Sequence, residues 1–314
     1  MPVTRREVFG AATALAGAAS SRAAAPASGK PVLALFSKPL SFIPAAELGT
    51  AVRELGFESI DLAVRPGGHV EPDRVRTDLP LVVRAIRAAG IEVAMLTTGI
   101  VDAATPHAED VIAAMTGLGI TRYRWGGFRW SKQSSLDRQI EAFRPRVAAL
   151  AELNRRYGAT AMYHTHSGVG LVGASIWDLH EILRGFDPAL VSVNYDVGHA
   201  TVEGGLGGWI DSFNISLPYL KGVAVKDFLW ELNAQDQWEP AWKPLGQGMV
   251  RFAQFFRMLR EAAFAGPVQL HFEYPLGGAE EGAKSGLLMS KEDIFSAIRR
   301  DLSSAQSLMK AAGL

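Results

Sequence analysis

The chain has 314 residues, 48% of them hydrophobic, enough to bury a large core in one sizeable domain or two small ones. Lys plus Arg and Asp plus Glu both number 32, so there is no basic surplus to draw nucleic acid or an anionic membrane. With no cysteine, disulfides, thiolate zinc sites and cysteine nucleophiles are excluded.

Residues 4–20 read "TRREVFGAATALAGAAS", in which Arg5 and Arg6 precede a mildly apolar Ala/Gly-rich run, and "SRAAAPAS" follows with small residues suited to a signal peptidase. Residues 1–27 therefore read as a twin-arginine export signal and imply a periplasmic or secreted protein, with an Ala-rich tail as the plainer alternative. The apolar run is too short to span a bilayer, so no stable membrane association is expected.

From Pro31 onward one pattern repeats. The short apolar runs are "VLALFS" (32–37), "SIDLAV" (59–64), "EVAMLT" (92–97), "TRYRW" (121–125), "ATAMYH" (159–164), "LVSVNYD" (190–196), "KGVAVKD" (221–227) and "PVQLHFE" (267–273). Helix-like stretches separate them. Pro44 opens "PAAELGTAVREL", and Gly56 stands where a helix-ending glycine would. A longer helix is predicted from a Ser cap in "SSLDRQIEAFRPRV" to Gly158, with Pro145 kinking it. Eight strand–helix units over residues 30–314 predict an α/β fold, a (β/α)8 TIM barrel in one domain. A doubly wound open sheet is the alternative and usually has fewer units.

Alternation along the strands locates the candidate site. In a barrel, successive residues point to the helices and to the lumen. Ile60, Leu62 and Val64 oppose Asp61, Ala63 and Arg65; Val193 and Tyr195 oppose Ser192, Asn194 and Asp196; Val268, Leu270 and Phe272 oppose Gln269, His271 and Glu273. Charges on a lumen face are costly unless they serve a site, and here they gather at the strands' C-terminal ends, where barrel enzymes place their chemistry. The candidate wall is Arg65, Arg124, His164, Asp196, Lys226 and Glu273, with His166 one pleat beyond His164 and His199 three residues after Asp196. His69 follows two glycines in "RPGGH". Trp125, Trp130, Trp230, Trp238 and Trp242 fall in or near the loops after strands 4 and 7, where rings can stack on sugar C–H faces.

Each candidate has a plainer alternative. Asp196 and Glu273 can cap a following helix; His164 can be a satisfied core histidine. His166 can be a loop histidine without a role, and His199 can simply hydrogen-bond to backbone. Lys226 can pair with neighbouring Asp227, Arg65 and Arg124 with Asp61, and the glycines before His69 can simply form a turn.

Taken together, "NYDVGHA" after strand 6, "VAVKDF" at strand 7, "HFEYPLGG" at strand 8, "YHTHSG" at strand 5 and "DLAVRPGGHVEP" at strand 2 resemble the sugar phosphate isomerase/epimerase family of xylose isomerase-like barrels, in an exported branch. The resemblance covers roughly residues 30–310 and implies one divalent metal, Mn, Zn or Mg, held by Glu, Asp, His and Glu from strands 5 to 8. Asp196 and Glu273 match that pattern. His164 replaces the strand 5 Glu and can still ligate, whereas Ala224 stands where the strand 7 His is expected. The implied ligands are therefore His164, Asp196 and Glu273, and a metal-free site relying on Lys226 is the alternative.

Isomerising or epimerising a sugar removes a proton from carbon beside a carbonyl. The resulting enediolate needs positive charge at its oxygens and an acid and a base on its two faces. Glu273, His164, Lys226 and His199 are the expected catalytic residues, and Arg65, His69, Arg124, His166 and Trp230 the expected contacts to a small carbohydrate or polyol. A lyase or dehydratase using the same intermediate is the second expectation, and a non-catalytic sugar-binding barrel, favoured by Ala224, the third. A homo-oligomer is left open.

Overall fold

The computed structural model describes residues 29–314; the export signal expected at residues 1–27 lies outside the described residues. The chain runs β1 (Val32–Phe36), α1 (Leu48–Glu54), β2 (Ser59–Val64), α2 (Val75–Ala88), β3 (Glu92–Thr98), α3 (Ala108–Gly117), β4 (Arg122–Trp125), α4 (Leu136–Tyr157), β5 (Thr160–His164) and α5 (Trp177–Leu183). It continues with β6 (Val191–Asp196), α6 (Val197–Gly204), α7 (Gly208–Ser216), β7 (Leu220–Val225), β8 (Asp227–Leu232), β9 (Trp238–Lys243), α8 (Phe252–Glu261), β10 (Pro267–Leu270) and α9 (Lys291–Ala312). Eight of the strands close into a barrel in the order β1-β10-β7-β6-β5-β4-β3-β2. Every neighbouring pair in it is parallel. The expected (β/α)8 barrel is the fold.

Strand alternation builds the two cores. Ile60, Leu62, Val64, Val193, Tyr195, Val268 and Leu270 face outward into the continuous apolar layer beneath the helices. The inward residues include Asn194 and Gln269, whose side-chain amides bond reciprocally at 2.7 and 2.9 Å across the lumen. Gly222 on β7 makes room for them: a Cβ there would lie 2.7 Å from Asn194 Oδ1 and 3.0 Å from Met162 Sδ. This polar plug is fully buried and each amide satisfies the other, as a buried polar layer must be.

Local expectations are met in part. Ser135 caps α4 by accepting from the Arg138 N–H, and Gly158 ends it at φ 67°. Pro145 lies inside that helix, which runs unbroken to Tyr157. Helix α1 starts at Leu48 and not at Pro44, because the Glu47 N–H bonds back to the Pro44 carbonyl in a separate turn first. Strand β10 stops at Leu270, three residues earlier than expected, and His271 to Glu273 carry the chain into the mouth.

The largest departure follows β7. Asp227 is not the end of that strand; it starts the antiparallel hairpin β8–β9, whose register pairs Asp227 with Lys243 and Leu232 with Trp238. The Asp227 carboxylate accepts N–H bonds from Phe228, Gly246, Gly248 and Val250 at 3.0, 3.0, 2.8 and 3.1 Å. It thereby ties the chain leaving the hairpin to the residue that enters it. Gly248 is required by this approach, since a Cβ there would meet Asp227 Oδ1 at 2.3 Å.

Candidate active site

Parity along the strands brings Arg65, Arg124, His164, Asp196, Lys226 and Glu273 to the same C-terminal mouth of the barrel. At its centre is Lys226, buried, with its ammonium 2.9 Å from Glu273 Oε2, 3.4 Å from Asp196 Oδ2 and 2.5 Å from His199 Nε2. The plainer alternative, an ion pair with Asp227, does not form: the two residues are adjacent on an extended chain and point to opposite sides. The Trp242 ring lies 4.4 Å from the Lys226 ammonium, a cation–π contact, and its centroid is 5.1 Å from that of His199.

Asp196 takes the capping alternative with one of its two oxygens. Its Oδ1 caps α6 by accepting from the His199 N–H at 3.0 Å, while its Oδ2 is buried without a hydrogen-bond partner. His164 Nε2 stands 3.7 Å from that oxygen, and His164 Nδ1 is 3.3 Å from the Asn194 amide nitrogen. His199 spans from Lys226 to Ser167, whose Oγ is 2.7 Å from His199 Nδ1. His166 sits at the rim with its ring centroid 3.7 Å from that of His199, and its Nδ1 meets the Ser167 carbonyl.

Burial governs the charges. It drives His164 and His199 well below the ordinary imidazole range, reinforced by Arg124 for the first and Lys226 for the second, so both are neutral. It raises Asp196 to about 6 against the pull of Lys226. At Glu273 burial works upward too, but Lys226 and His271 outweigh it and hold the carboxyl well below its usual value. The Glu273 side chain is 22% exposed where that of Asp196 is fully buried, so Glu273 is the carboxylate of the pair that an incoming molecule can touch.

Nitrogen and oxygen atoms of His164, Asp196 and His199 lie within 4.8 Å of one another and can hold a metal ion. The donor types fit, with neutral imidazoles and an Asp196 Oδ2 that has no hydrogen-bond partner, provided that Lys226 withdraws from His199 Nε2, which it now occupies. His199 takes the place expected for Glu273, because Glu273 is turned onto Lys226. Ala224 is in register with Asp196 and Gln269 and offers no ligand.

On the opposite wall, Arg65, Arg124, His164 and His166 line a cavity of about 320 Å³ with Thr98 and Gly99. Behind it Asp61 is buried on β2, accepts from Thr97 Oγ1 at 2.7 Å, and leaves Oδ1 without a partner. Desolvation pushes its carboxyl up to about 7.

Two expected contacts are elsewhere. His69 is turned away, with Nε2 on the Leu40 carbonyl at 3.1 Å, and burial lowers it to about 4. Trp230 faces Phe228 on the hairpin at 5.9 Å, and it is Trp242, two pairs along the same ribbon, that reaches the cluster. The sequence reading missed His271, whose ring lies 5.3 Å from that of His164 and 4.7 Å from that of Phe36, with neither nitrogen bonded. Its lumen parity was the available signal. Ser167 carried none, since its role depends on how the loop after β5 returns.

Residues 50–292 match the model of the xylose isomerase-like TIM barrel family. Among curated proteins, a 56-residue stretch is 39% identical to an inosose dehydratase of Bacillus licheniformis, a match that spans 18% of this chain and 18% of that protein. Among solved structures, the fold is similar to that of the 3-keto-D-glucoside 4-epimerase of E. coli, with TM-score 0.65 and 15% identity over 88% of this chain and 100% of that one. It is also similar to D-psicose 3-epimerase of Clostridium cellulolyticum H10, solved with D-tagatose, with TM-score 0.60 and 10% identity over 88% and 99%. A barrel protein of Mycobacterium smegmatis solved in complex with magnesium gives TM-score 0.63 and 17% identity over 90% and 97%. At such identities these structures speak for the fold alone.

Proposed function

Because this chain belongs to the xylose isomerase-like TIM barrel family, we propose that it is an isomerase or epimerase acting on a small carbohydrate or polyol through an enediolate. The observation that carries the reading is the Lys226 ammonium held between Glu273 and Asp196 beside His199, at the floor of a mouth open to solvent. Family relatives and structural neighbours are named as epimerases and a dehydratase, which supports an enzyme over a passive binder.

In this reading Glu273, the reachable carboxylate, takes the proton from the carbon beside the substrate carbonyl. Lys226 turns from Glu273 to the carbonyl oxygen as negative charge develops there, which also frees the carboxylate to act as a base. His199, bonded to both Lys226 and Ser167, carries a proton between the floor and the rim. His164 and His166, which border both this cluster and the Arg65 and Arg124 cavity, are placed to return a proton for inversion. Trp242 covers Lys226 and excludes water. A divalent ion held by His164, Asp196 and His199 would add Lewis-acid polarisation of the same carbonyl. Expulsion of a leaving group from the same enediolate gives a lyase or dehydratase. The short stretch similar to an inosose dehydratase favours that second reading.

The test is proton exchange. Incubation with ketoses and keto-sugars in D2O, followed by NMR, should show deuterium at the carbon beside the carbonyl, and Glu273→Gln should slow it about 100- to 10,000-fold, as loss of a general base does. Metal content of the purified protein is read in parallel by mass spectrometry. Exchange as fast in Glu273→Gln as in the parent removes Glu273 from the role, and neither exchange nor product across the panel removes the function.

A further inference from the structure

The two walls of the mouth differ in charge balance. On the side of β6, β7 and β10, Lys226 is matched by Glu273 and Asp196. On the side of β2 and β4, the Arg65 and Arg124 guanidinium groups make no hydrogen bond or ion pair with any described residue, and Arg65 lies only over the Phe36 ring at 5.5 Å. Both line the same cavity. Lys38 interacts through charge with Arg65 and Lys226 and with the carboxylates of Glu273 and Glu281.

Such an arrangement is unfavourable in the free protein. Arg124 is largely withdrawn from water, and burial together with the neighbouring Arg65 lowers it to about 10. Asp61 interacts with both arginines through charge but hydrogen-bonds neither; its Oδ2 accepts from Thr97, and burial pushes its carboxyl up to about 7. Two guanidinium forks, each with five N–H donors, therefore belong to residues lining one cavity and have no hydrogen-bond acceptor among the described residues. A planar carboxylate is the anion that a guanidinium fork fits in bidentate fashion. A cavity of about 320 Å³ is at the small end for ligand sites, which run from about 300 to 1,000 Å³, and suits a single sugar-sized molecule.

We propose that Arg65 and Arg124 form a carboxylate subsite, so that the substrate is a sugar acid, a polyol or keto-sugar carrying one carboxylate, bound with that group toward β2 and β4 and its reacting carbon toward Lys226 and Glu273. The proposal rests on the isomerase or epimerase reading for the second half of that orientation, and its test reads binding and not turnover so that the two can fail separately.

Calorimetric titration of the full chain would compare D-glucuronate, D-galacturonate and D-gluconate with D-glucose, D-galactose, D-glucitol and D-glucose 6-phosphate. At least one acid should bind about ten- to a hundredfold more tightly than its neutral counterpart, the range expected for hydrogen bonds to a charged group. Arg124→Gln and Arg65→Gln should each remove that preference, weakening acid binding far more than neutral-sugar binding, and Arg124→Lys should restore only part of it. Thermal melts check that each variant folds; if Arg124→Gln does not, Arg65→Gln carries the test. No acid preference in the parent, a preference for the phosphate ester, or a preference that survives both Gln variants overturns the subsite. Acid-selective binding without proton exchange sustains the subsite and counts against the enediolate chemistry; exchange on neutral sugars alone does the reverse.

Discussion

Replacing Asp227 by Ala should loosen the roof of the site before it disturbs the barrel. The carboxylate holds four backbone N–H groups, and three of them, on Gly246, Gly248 and Val250, lie some twenty residues away beyond the hairpin. At about 1–1.5 kcal/mol net for each of the three long-range bonds, the variant should lose about 3–4.5 kcal/mol, less whatever water recovers at the part-buried amides. A partial offset comes from no longer burying a carboxylate, a penalty visible in its raised pKa, so about 2–4 kcal/mol is the expected loss. Urea denaturation followed by circular dichroism measures the total. Hydrogen exchange localises it: protection of the Gly246, Gly248 and Val250 amides should fall well before that of β6 or β7. Because the hairpin carries Trp242 onto Lys226, turnover should fall with that protection. Asp227→Asn, with one oxygen left to accept, should be intermediate. A stability loss below about 1 kcal/mol with unchanged protection of those three amides would refute the reasoning.

Two further outcomes are expected. Asp61 has its carboxyl pushed up to about 7 against 3.8 for an ordinary aspartate, so between those values the folded chain binds more protons than the unfolded one. Stability should therefore fall as pH rises through that window, by up to about 1.4 kcal/mol per pH unit, and level off above it; Asp61→Asn should flatten the profile, and parallel profiles from pH 5 to 8 would contradict the assignment. We also propose that residues 1–27 direct twin-arginine export, so that changing Arg5 and Arg6 to Lys leaves uncleaved precursor in the cytoplasm; unchanged delivery of the double variant to the periplasm counts against it.

What was legible in the sequence follows from what alternation can report. It separates the two faces of a strand, so the barrel, its helix-facing core and the convergence of Arg65, Arg124, His164, Asp196, Lys226 and Glu273 could all be read from spacing. It does not report what a side chain reaches once it has left its strand. Asp227 beside Lys226 suggests an ion pair in one dimension, yet extended backbone points neighbours apart, and the Asp227 partners come from residues 246–250. The hairpin was hidden for a related reason. "DFLWELNAQDQWEPAWK" is half-exposed on both faces, so its aromatic residues look like loop decoration, and the choice of Trp242 over Trp230 depends on ribbon register. Asp196 posed a choice between capping and site chemistry, and the cap does not close off the other, because it takes one carboxylate oxygen and leaves Oδ2 without a hydrogen-bond partner.

The amide pair of Asn194 and Gln269 also determines traffic. It plugs the lumen just below His164 with no exposed atom, so the barrel has a door at one end and none at the other. Whatever is formed above the plug must leave along the path by which its precursor came, past Arg65 and Arg124 on one side and the Trp242 ribbon on the other. Entry and exit therefore exclude one another, and a spent molecule lingering in the doorway blocks the next arrival as a competitor for the empty form.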